Sequence, residues 1–379
     1  MSRRTREVRL RDVRVRAARA VITGFHGAQP LRAGETPWRE WSDADAGILR
    51  SEFAEAAVFE ADENAPFSGA LSCAARQLVR LGLLEKGGLT LDAERVAVCF
   101  SSSKGDMHAL RSFGNGGCDA PLSHWRETIG ARGTGLAPVA ACATGAHCVA
   151  FGAQLIEDGY ADVAICGAWE AEHSELVLAG YRSLGALSKS GIMRPFDHNR
   201  DGFVPSAGAA MLVLENESFA RRRGVPILGA VSGYSMQSDA SAMTSMCASG
   251  DTIARAIELA LNRAGNPRVD YVNAHGTATQ LNDEIESRAV RSVWGRAVPC
   301  SSTKPMTGHW LGAAGALEAQ ICLMAMREKW APPTKNVETP DENCDLDYIS
   351  KGREMPIECA VSLSYGFGGH IGVLVLERE

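Results

Sequence analysis

Short apolar segments alternate with helical patterns along this chain, and that alternation constrains the fold more than any other sequence feature. Several of the apolar segments are bounded by glycine, and they predict buried β-strands at Ala20 to Gly24, Val96 to Phe100, Asp162 to Gly167, Ala209 to Leu214, Val269 to Ala274 and Gly372 to Leu376. Helical spacing of apolar residues marks Glu52 to Leu84, Ala143 to Asp158, Thr252 to Ala264, Asp283 to Val293 and Gly312 to Arg327. Strands that alternate with helices predict an α/β protein whose sheets are largely buried.

Length and charge exclude several classes of protein. At roughly 150 residues per domain, a chain of 379 residues allows two or three domains, and 45% hydrophobic with 22% charged residues is typical of a close-packed globular enzyme. The net charge of -6 gives no general affinity for nucleic acid, whose phosphates require a basic surface. We interpret the arginine-rich run from Arg3 to Arg19 as a solvated arm or an edge strand.

The sequence carries no membrane or secretion signal. It has no apolar stretch of about 20 residues and no secretory signal near its start, so we expect a cytoplasmic protein without a membrane span. Its 11 cysteines are odd in number and include no CxxC pair, which fits neither a zinc site nor a disulfide framework. We therefore interpret most of them as core thiols and expect no metal.

Two segments of the chain end alike and indicate an internal duplication. Gly208 to Glu215 and His370 to Glu377 both run through apolar residues into Leu-Val-Leu-Glu, and each follows a Gly-Phe pair. The arginine-rich run Arg221 to Gly224 follows the first copy and favours a hinge and a boundary there. We expect two similar halves, residues 1–222 and residues 223–379.

Cys142 is the strongest candidate for a nucleophile. An extended segment with Pro138 runs into an alanine-rich helical pattern, which predicts that Cys142 lies at a helix N-terminus. Unpaired backbone N–H groups there favour the thiolate, so we expect a lowered pKa. A lone cysteine is more often a small core residue. The small neighbours Ala141, Ala143 and Gly145 leave backbone N–H groups accessible to an oxyanion and favour the reactive interpretation.

Two histidines follow predicted strands in the same manner. The segment Val269 to Ala274 leads to His275 in a Gly-Thr loop, and Ser301 to Thr303 is followed by Lys304 and His309. In open α/β sheets, ligands bind at the carboxyl ends of the strands. A functional role is therefore one interpretation for each histidine, and a structural, hydrogen-bonded histidine is the other.

Two further features lie near the predicted site. Glu318 is part of an otherwise apolar helical pattern and requires a partner, because an unpaired buried carboxylate is costly, and Lys304 is the natural candidate. The glycine-rich segment Ser362 to His370 is either an ordinary hairpin that needs positive φ angles or a loop whose backbone N–H groups and Phe367 ring overhang the site.

With these motifs the sequence resembles the elongating β-ketoacyl-acyl carrier protein synthases of the thiolase superfamily. The matching segments occur in the family's order, and they are Ala141 to His147, Asp201 to Phe203, Asn273 to Asp283, Lys304 to Glu318 and Gly366 to Gly369. The resemblance is good from about residue 134 onwards. It implies a five-layered αβαβα fold built from two similar halves, an acyl carrier protein as partner, usually a homodimer, and no cofactor.

The resemblance also implies a role for each candidate residue. Cys142 accepts an acyl group from carrier-protein phosphopantetheine, while the backbone N–H groups of Cys142 and Phe367 bind the oxyanion. A malonyl thioester then loses carbon dioxide, and its enolate, stabilised by His275 and His309, attacks the acyl group. The resemblance implies that Lys304 and Glu318 orient the histidines. It implies that Thr277 and Thr279 line the pantetheine arm, and that Phe203 and Phe367 shape the acyl entrance.

Departures from the family pattern leave two alternatives open. Phe203 to Gly208 lacks the family's acidic residue, and Ser101 to Gly135 is shorter than its family counterpart, which contributes to the dimer interface and the acyl pocket. One alternative is an acyltransferase or thioesterase that uses Cys142 without condensation. The other is a chain-length-determining partner subunit of a heterodimeric synthase, although such subunits typically lack the nucleophile.

Overall fold

The computed structural model describes residues 18–28, 82–85, 88–105, 117–170 and 174–379. Its strands are β1 (Ala20–Ala28), β2 (Leu84–Glu85), β3 (Gly88–Leu89), β4 (Val96–Ser101), β5 (Gly135–Leu136), β6 (Val163–Glu170), β7 (Gly208–Asn216), β8 (Gly229–Ser238), β9 (Tyr271–Asn273), β10 (Pro299–Ser301), β11 (Trp330–Ala331), β12 (Asp347–Tyr348), β13 (Arg353–Glu354), β14 (Cys359–Gly366) and β15 (His370–Glu377). Its α-helices are α1 (Ala120–Ile129), α2 (Thr144–Glu157), α3 (Glu175–Ser183), α4 (Glu217–Arg223), α5 (Asp251–Arg263), α6 (Gln280–Trp294), α7 (Lys304–Thr307) and α8 (Ala314–Glu328). Short 3₁₀ helices occupy Ala93–Arg95, Ala141–Ala143 and Leu311–Ala313.

One sheet of 11 strands organises the described part of the chain, in the order β12-β10-β9-β14-β15-β8-β1-β7-β6-β4-β5. The strands at its two ends pair parallel, and those around its centre pair antiparallel. Parallel strands need crossover connections, which are commonly helices, and this agrees with the alternation seen in the sequence. Among the described helices, none is both long enough and apolar enough to cross a bilayer.

Most apolar side chains of the sheet pack into three cores. Along β7, Ala210, Leu212 and Leu214 face a core shared with α2 and α8, whereas the alternate residues face a core with α1. Along β15, Leu374 and Leu376 face that same central core, and the alternate residues face a third core with α5 and α6. Because side chains alternate across a strand, both parts of the sheet are covered on both faces. The layers therefore run helix, first part of the sheet, helix, second part of the sheet, helix, as the family resemblance implies.

The two parts of the sheet repeat one pairing pattern. In the first part β1 pairs antiparallel with β7, β7 pairs antiparallel with β6, and β6 pairs parallel with β4. In the second part β8 pairs antiparallel with β15, β15 with β14, and β14 pairs parallel with β9. The two Leu-Val-Leu-Glu segments occupy β7 and β15, which are equivalent positions in this pattern. The duplication expected from the sequence is thus a property of the fold.

Small residues let the two central helices pack closely. A Cβ atom at Gly145 of α2 would lie 2.8 Å from the backbone nitrogen of Ala316, and one at Gly315 of α8 would lie 2.8 Å from that of Ala146. Either distance is shorter than a real carbon contact allows. Glycine at both positions therefore sets the separation of α2 and α8, whose first residues lie beside the candidate site.

Most of the predicted elements within the described ranges are present, with ends that differ by a few residues. The principal difference is the run Arg221 to Gly224, predicted as a hinge. It forms the last turn of α4, and Gly224 ends that helix in the left-handed conformation. The prediction for Glu52 to Leu84 falls almost entirely outside the described residues, as does the arginine-rich run that ends at Arg19. In the described ranges, all ten cysteines are free and most are buried, as expected for core thiols.

Candidate active site

Cys142 lies at the start of α2, as the sequence predicts, and it does so in a strained turn. The 3₁₀ helix Ala141–Ala143 leads directly into α2, and Ala141 has a φ of 47°. Residues with a side chain rarely adopt this left-handed conformation. The Thr144 hydroxyl holds the turn closed, since it accepts a hydrogen bond from the Ala140 N–H at 2.9 Å and donates one to the Ala141 carbonyl at 2.7 Å. The turn thereby places Cys142 at the positive end of the helix dipole.

The second half of the molecule repeats this turn without the cysteine. The 3₁₀ helix Leu311–Ala313 leads into α8, and Leu311 has a φ of 43°. Gly312 therefore stands at the position that Cys142 holds in the first half. The two turns contact each other, and Leu311 packs in the same apolar cluster as Cys142.

His275 follows β9, and its backbone is fixed by a buried carboxylate. Glu286 of α6 accepts hydrogen bonds from the backbone N–H groups of His275 at 2.7 Å and of Gly276 at 2.8 Å. Burial raises the pKa of Glu286 to about 8, and the Gly276 N–H is the first of the groups that oppose this shift. These two hydrogen bonds thus fix the loop that carries His275 against α6.

His309 is fully buried and is held by the segment that departs from the family pattern. Its backbone N–H donates to the carbonyl of Val204 at 2.8 Å, and its carbonyl accepts from the Ser206 N–H at 2.9 Å. The ring of Phe203 meets its imidazole edge to face, with ring centres 5.0 Å apart. Since backbone atoms make the two hydrogen bonds, the segment supports His309 without the family's acidic residue.

Lys304 and Glu318 form a buried ion pair beside His275. The Lys304 ammonium contacts the Glu318 carboxylate and the His275 carbonyl, and it lies 3.4 Å from His275 Nδ1. Both side chains are almost completely buried. Burial raises the pKa of Glu318 to about 7, and the charge of Lys304 opposes that shift. The structure thus pairs Glu318 with Lys304, the partner that the sequence predicts.

One cavity of about 450 Å³ is lined by those predicted residues that would contact the substrate. Its lining includes Cys142, Phe203, His275, Thr277, Thr279, His309 and Phe367. The imidazole rings of His275 and His309 meet edge to face with centres 5.5 Å apart. The hydroxyl oxygens of Thr277 and Thr279 lie 3.0 Å apart. Lys304 and Glu318 stand behind His275 and do not belong to the lining.

The hairpin between β14 and β15 lies directly over the turn that carries Cys142. A Cβ atom at Gly366 would lie 2.5 Å from the Ala140 carbonyl oxygen and 3.0 Å from the Cys142 nitrogen. Only glycine allows this approach, which brings the next residue, Phe367, next to the backbone N–H of Cys142. The arrangement is compatible with an oxyanion site formed by the N–H groups of Cys142 and Phe367.

Electrostatics at the thiol differ from the sequence-based expectation. Burial raises the pKa of Cys142 to about 12, and the charge of Glu170 adds to this shift, while Lys304 opposes it. The expected lowering of the Cys142 pKa is therefore wrong, because loss of water outweighs the helix N-terminus. Burial also lowers the pKa of His275 well below its usual value, with Lys304 and His309 acting in the same direction. At neutral pH the cavity holds a thiol and a neutral His275.

Sequence reasoning missed Glu170, a fully buried carboxylate behind Cys142. It ends the otherwise apolar strand β6 and binds the Lys104 ammonium at 2.8 Å and the Ser103 N–H at 2.6 Å. The argument that singled out Glu318, a lone carboxylate in an apolar element, would have found Glu170 as well. Glu286 was missed because the polar residues around it in α6 do not mark it as buried.

Comparisons with known proteins agree with this site. Residues 83–220 match the family model described as "Beta-ketoacyl synthase, N-terminal domain", and residues 228–338 match "Beta-ketoacyl synthase, C-terminal domain". A 3-oxoacyl-[acyl-carrier-protein] synthase 2 of Coxiella burnetii is 41% identical over 65% of this chain and 62% of its own length. The chain thus spans less than two thirds of that relative.

Two further similarities extend the comparison. A putative polyketide beta-ketoacyl synthase 1 of Streptomyces halstedii is 36% identical over 78% of this chain and 74% of its own length. A solved type II polyketide ketosynthase, described in complex with its acyl-carrier protein and bound to the hexaketide, is 27% identical with a TM-score of 0.82, over 96% of this chain and 100% of that one. In sequence, in fold and in the content of its cavity, the chain belongs to the β-ketoacyl synthase family.

Proposed function

We propose that the protein is a β-ketoacyl synthase that condenses an acyl group on Cys142 with a malonyl thioester and releases carbon dioxide. One observation carries this proposal: a single cavity holds a cysteine at a helix N-terminus together with two buried histidines. An acyltransferase needs the cysteine and an oxyanion site. The pair of histidines adds what a condensation requires, which is stabilisation of an enolate.

The first step transfers the acyl group to the protein. The Cys142 sulfur attacks the thioester carbon, the carbon–sulfur bond to the carrier breaks, and the proton of Cys142 ends on the leaving thiol. The backbone N–H groups of Cys142 and Phe367 hold the oxyanion during this step. Because the thiol is protonated at rest, its proton leaves as the sulfur attacks rather than beforehand.

The second step forms the carbon–carbon bond. The malonyl thioester loses carbon dioxide, and the side chains of His275 and His309 donate hydrogen bonds to the enolate oxygen that forms. The enolate carbon attacks the acyl carbonyl, the bond to Cys142 sulfur breaks, and the departing thiolate takes up one proton. A neutral His275 suits this role because it stabilises the enolate by a hydrogen bond without quenching it by a fast proton transfer.

The remaining predicted residues have supporting roles in this proposal. Lys304 and Glu318 orient His275, which agrees with the contacts of the ammonium to the His275 ring and carbonyl. Thr277 and Thr279 bind the amides of the pantetheine arm, and their hydroxyls lie on the cavity wall. The aromatic rings of Phe203 and Phe367 shape the acyl entrance.

Partner, assembly and division into halves are also proposals. An acyl carrier protein would deliver both thioesters, as the description of the solved polyketide ketosynthase suggests for that protein. We propose a homodimer, with a heterodimer as the competing assembly. We further propose that the halves meet near residue 222, within the helix that joins β7 to β8.

Incubation with acyl and malonyl carrier-protein thioesters tests the function. We expect a Cys142 adduct by mass spectrometry and a β-ketoacyl product, and both should be lost in Cys142→Ala. Cys247→Ala is the matched control, because Cys247 is a half-buried thiol outside the cavity lining. An adduct without a new carbon–carbon bond would identify a non-condensing acyltransferase or thioesterase. Unchanged pathway output with Cys142→Ala would identify a partner subunit.

A further inference from the structure

Four aromatic rings stand edge to face in one row across the candidate site. The ring of Tyr365 meets the imidazole of His275 with centres 5.2 Å apart. The imidazoles of His275 and His309 are 5.5 Å apart, and that of His309 meets the ring of Phe203 at 5.0 Å. All four residues line the cavity that contains Cys142. Each imidazole is therefore held between two rings, and the proposed chemistry has so far given Tyr365 no task.

The polar contacts of His275 restrain its imidazole only in part. Glu286 accepts the backbone N–H of His275 and so fixes the point from which the side chain starts. The Lys304 ammonium lies 3.4 Å from Nδ1, which is longer than a normal hydrogen bond. Rotation of a histidine ring about its bond to Cβ has broad energy minima, so these contacts alone leave the ring some freedom to turn. The aromatic rings on either side supply the rest of the restraint.

Tyr365 is fixed in place by its surroundings. It lies in β14, is 2% exposed and packs in the core with α5 and α6. It precedes Gly366, which lies against the turn that carries Cys142. Its hydroxyl is buried near the Glu286 carboxylate and forms no hydrogen bond of normal geometry among the described residues. The ring rather than the hydroxyl is therefore the part that acts on His275.

We propose that Tyr365 is a positioning residue for the condensation. Its ring fixes the imidazole of His275 at the angle from which the imidazole donates a hydrogen bond to the enolate oxygen. The inference rests on the proposed function, since an enolate forms only in that reaction. It gives a role to a residue of the glycine-rich segment Ser362 to His370 that the sequence does not single out.

The two steps of the proposed reaction depend on this contact to different degrees. During decarboxylation the hydrogen bond from His275 strengthens as charge develops on the enolate oxygen, and such a bond is fully effective only when donor and acceptor are aligned. Transfer of the acyl group to Cys142 uses the backbone N–H groups of Cys142 and Phe367 instead. Loss of the Tyr365 ring should therefore slow decarboxylation and leave acylation nearly unchanged.

Replacement of the ring in the full chain tests the inference. We expect Tyr365→Leu to slow malonyl decarboxylation about tenfold, the upper range for one edge-to-face ring contact, and to change Cys142 acylation by less than about twofold. Tyr365→Phe keeps the ring and should keep both rates within about twofold. The probes are the malonyl and hexanoyl thioesters of N-acetylcysteamine, read by carbon dioxide release and by intact mass.

A matched control and a second readout separate positioning from structural damage. Tyr348 packs against the same core and stacks on Phe196 with ring centres 4.0 Å apart, outside the cavity lining. Tyr348→Leu should therefore leave both rates near their wild-type values. In Tyr365→Leu we expect kcat for decarboxylation to fall while KM for the malonyl thioester stays the same, because the contact acts on the enolate and not on the bound thioester. If Tyr365→Leu does not fold, Tyr365→Met is a second variant without the ring.

Three results would overturn the inference: unchanged decarboxylation in Tyr365→Leu, equal loss of decarboxylation and acylation in that variant, or an equal loss of decarboxylation in Tyr365→Phe. Any of these, with condensation by the wild-type chain, overturns the inference alone and supports the proposed function. A wild-type chain that acylates Cys142 but decarboxylates no malonyl thioester, small or carrier-bound, overturns the proposed function and the inference with it.

Discussion

The Cys142 thiol is protonated at rest because burial raises its pKa to about 12. Well below the pKa, the thiolate fraction rises tenfold for each pH unit, and the thiolate is the form that reacts. We therefore predict that alkylation of Cys142 by iodoacetamide accelerates about tenfold per unit between pH 7 and pH 9. Peptide mass spectrometry, with Cys142→Ala as blank, gives the rate at this residue. A rate that levels off below pH 9 would show a resting thiolate.

We propose that His309 acts on the enolate more than on the thiol. We predict that His309→Ala slows malonyl decarboxylation by about 100-fold or more, the usual contribution of one proton-handling side chain, while acylation of Cys142 falls less than about tenfold. Decarboxylation is followed by carbon dioxide release and acylation by intact mass. His198→Ala, at an exposed histidine outside the cavity lining, is the control. Equal loss of both steps would refute this division.

At the residue scale, the sequence predicts which side chains meet but not their protonation. Cys142, His275 and His309 follow strand ends or begin a helix, and such positions are visible as patterns. The Cys142 pKa depends on how much water reaches the sulfur and on Glu170, 28 positions away in sequence. No pattern in the sequence brings those two residues together, so the expected direction of the shift was wrong.

At the scale of elements, contact between α2 and α8 sets the position of both turns at the site. We predict that Gly145→Ala destabilises the protein by about 1–3 kcal/mol, because the new methyl group overpacks against Ala316 and Gly312. Urea unfolding gives the free energy. Gly180→Ala is the control, since a Cβ there, in the exposed helix α3, meets nothing within 4 Å and improves helix propensity. Equal effects at the two positions would contradict the packing argument.

The sequence predicts the long elements well because their burial is simple. Strands β6, β7 and β15 are apolar on both faces and helices α2 and α8 are apolar nearly all round, so periodicity and length suffice. Helix α4 was not predicted, because three consecutive arginines suggest a solvated hinge. Its N-cap Asn216, which accepts the Phe219 N–H, and its C-terminal Gly224 define it instead.

At the scale of the whole molecule, one central core draws on both halves, so we expect a single unfolding transition. The helix where we propose that the two halves join ends at Arg223, which binds the Glu215 carboxylate at 3.0 Å; that buried carboxylate also accepts the Thr23 hydroxyl at 2.6 Å. We predict that Arg223→Met lowers the free energy of unfolding by on the order of 3 kcal/mol, since it leaves a buried charge unpaired. Arg222→Met, at an exposed neighbour, should change it by less than about 0.5 kcal/mol.

Two observations would contradict these expectations. Separate transitions in circular dichroism and in tryptophan fluorescence would show that the halves unfold independently. Equal effects of the two arginine variants would show that the pairing with Glu215 adds no stability.

The repeated turn at Leu311 has a consequence for stoichiometry. The scaffold offers the position of Cys142 twice, yet Gly312 fills the second copy, with Glu170 and Ser103 packed where a side chain would stand. Titration with a reactive acyl thioester should therefore end at one acyl group per chain of 40.4 kDa. Gly312→Cys should not raise that number to two, because its sulfur has no space to receive a thioester. The duplicated turn thus provides one position for an acyl group, at Cys142, while the copy at Gly312 packs against the turn that carries Cys142.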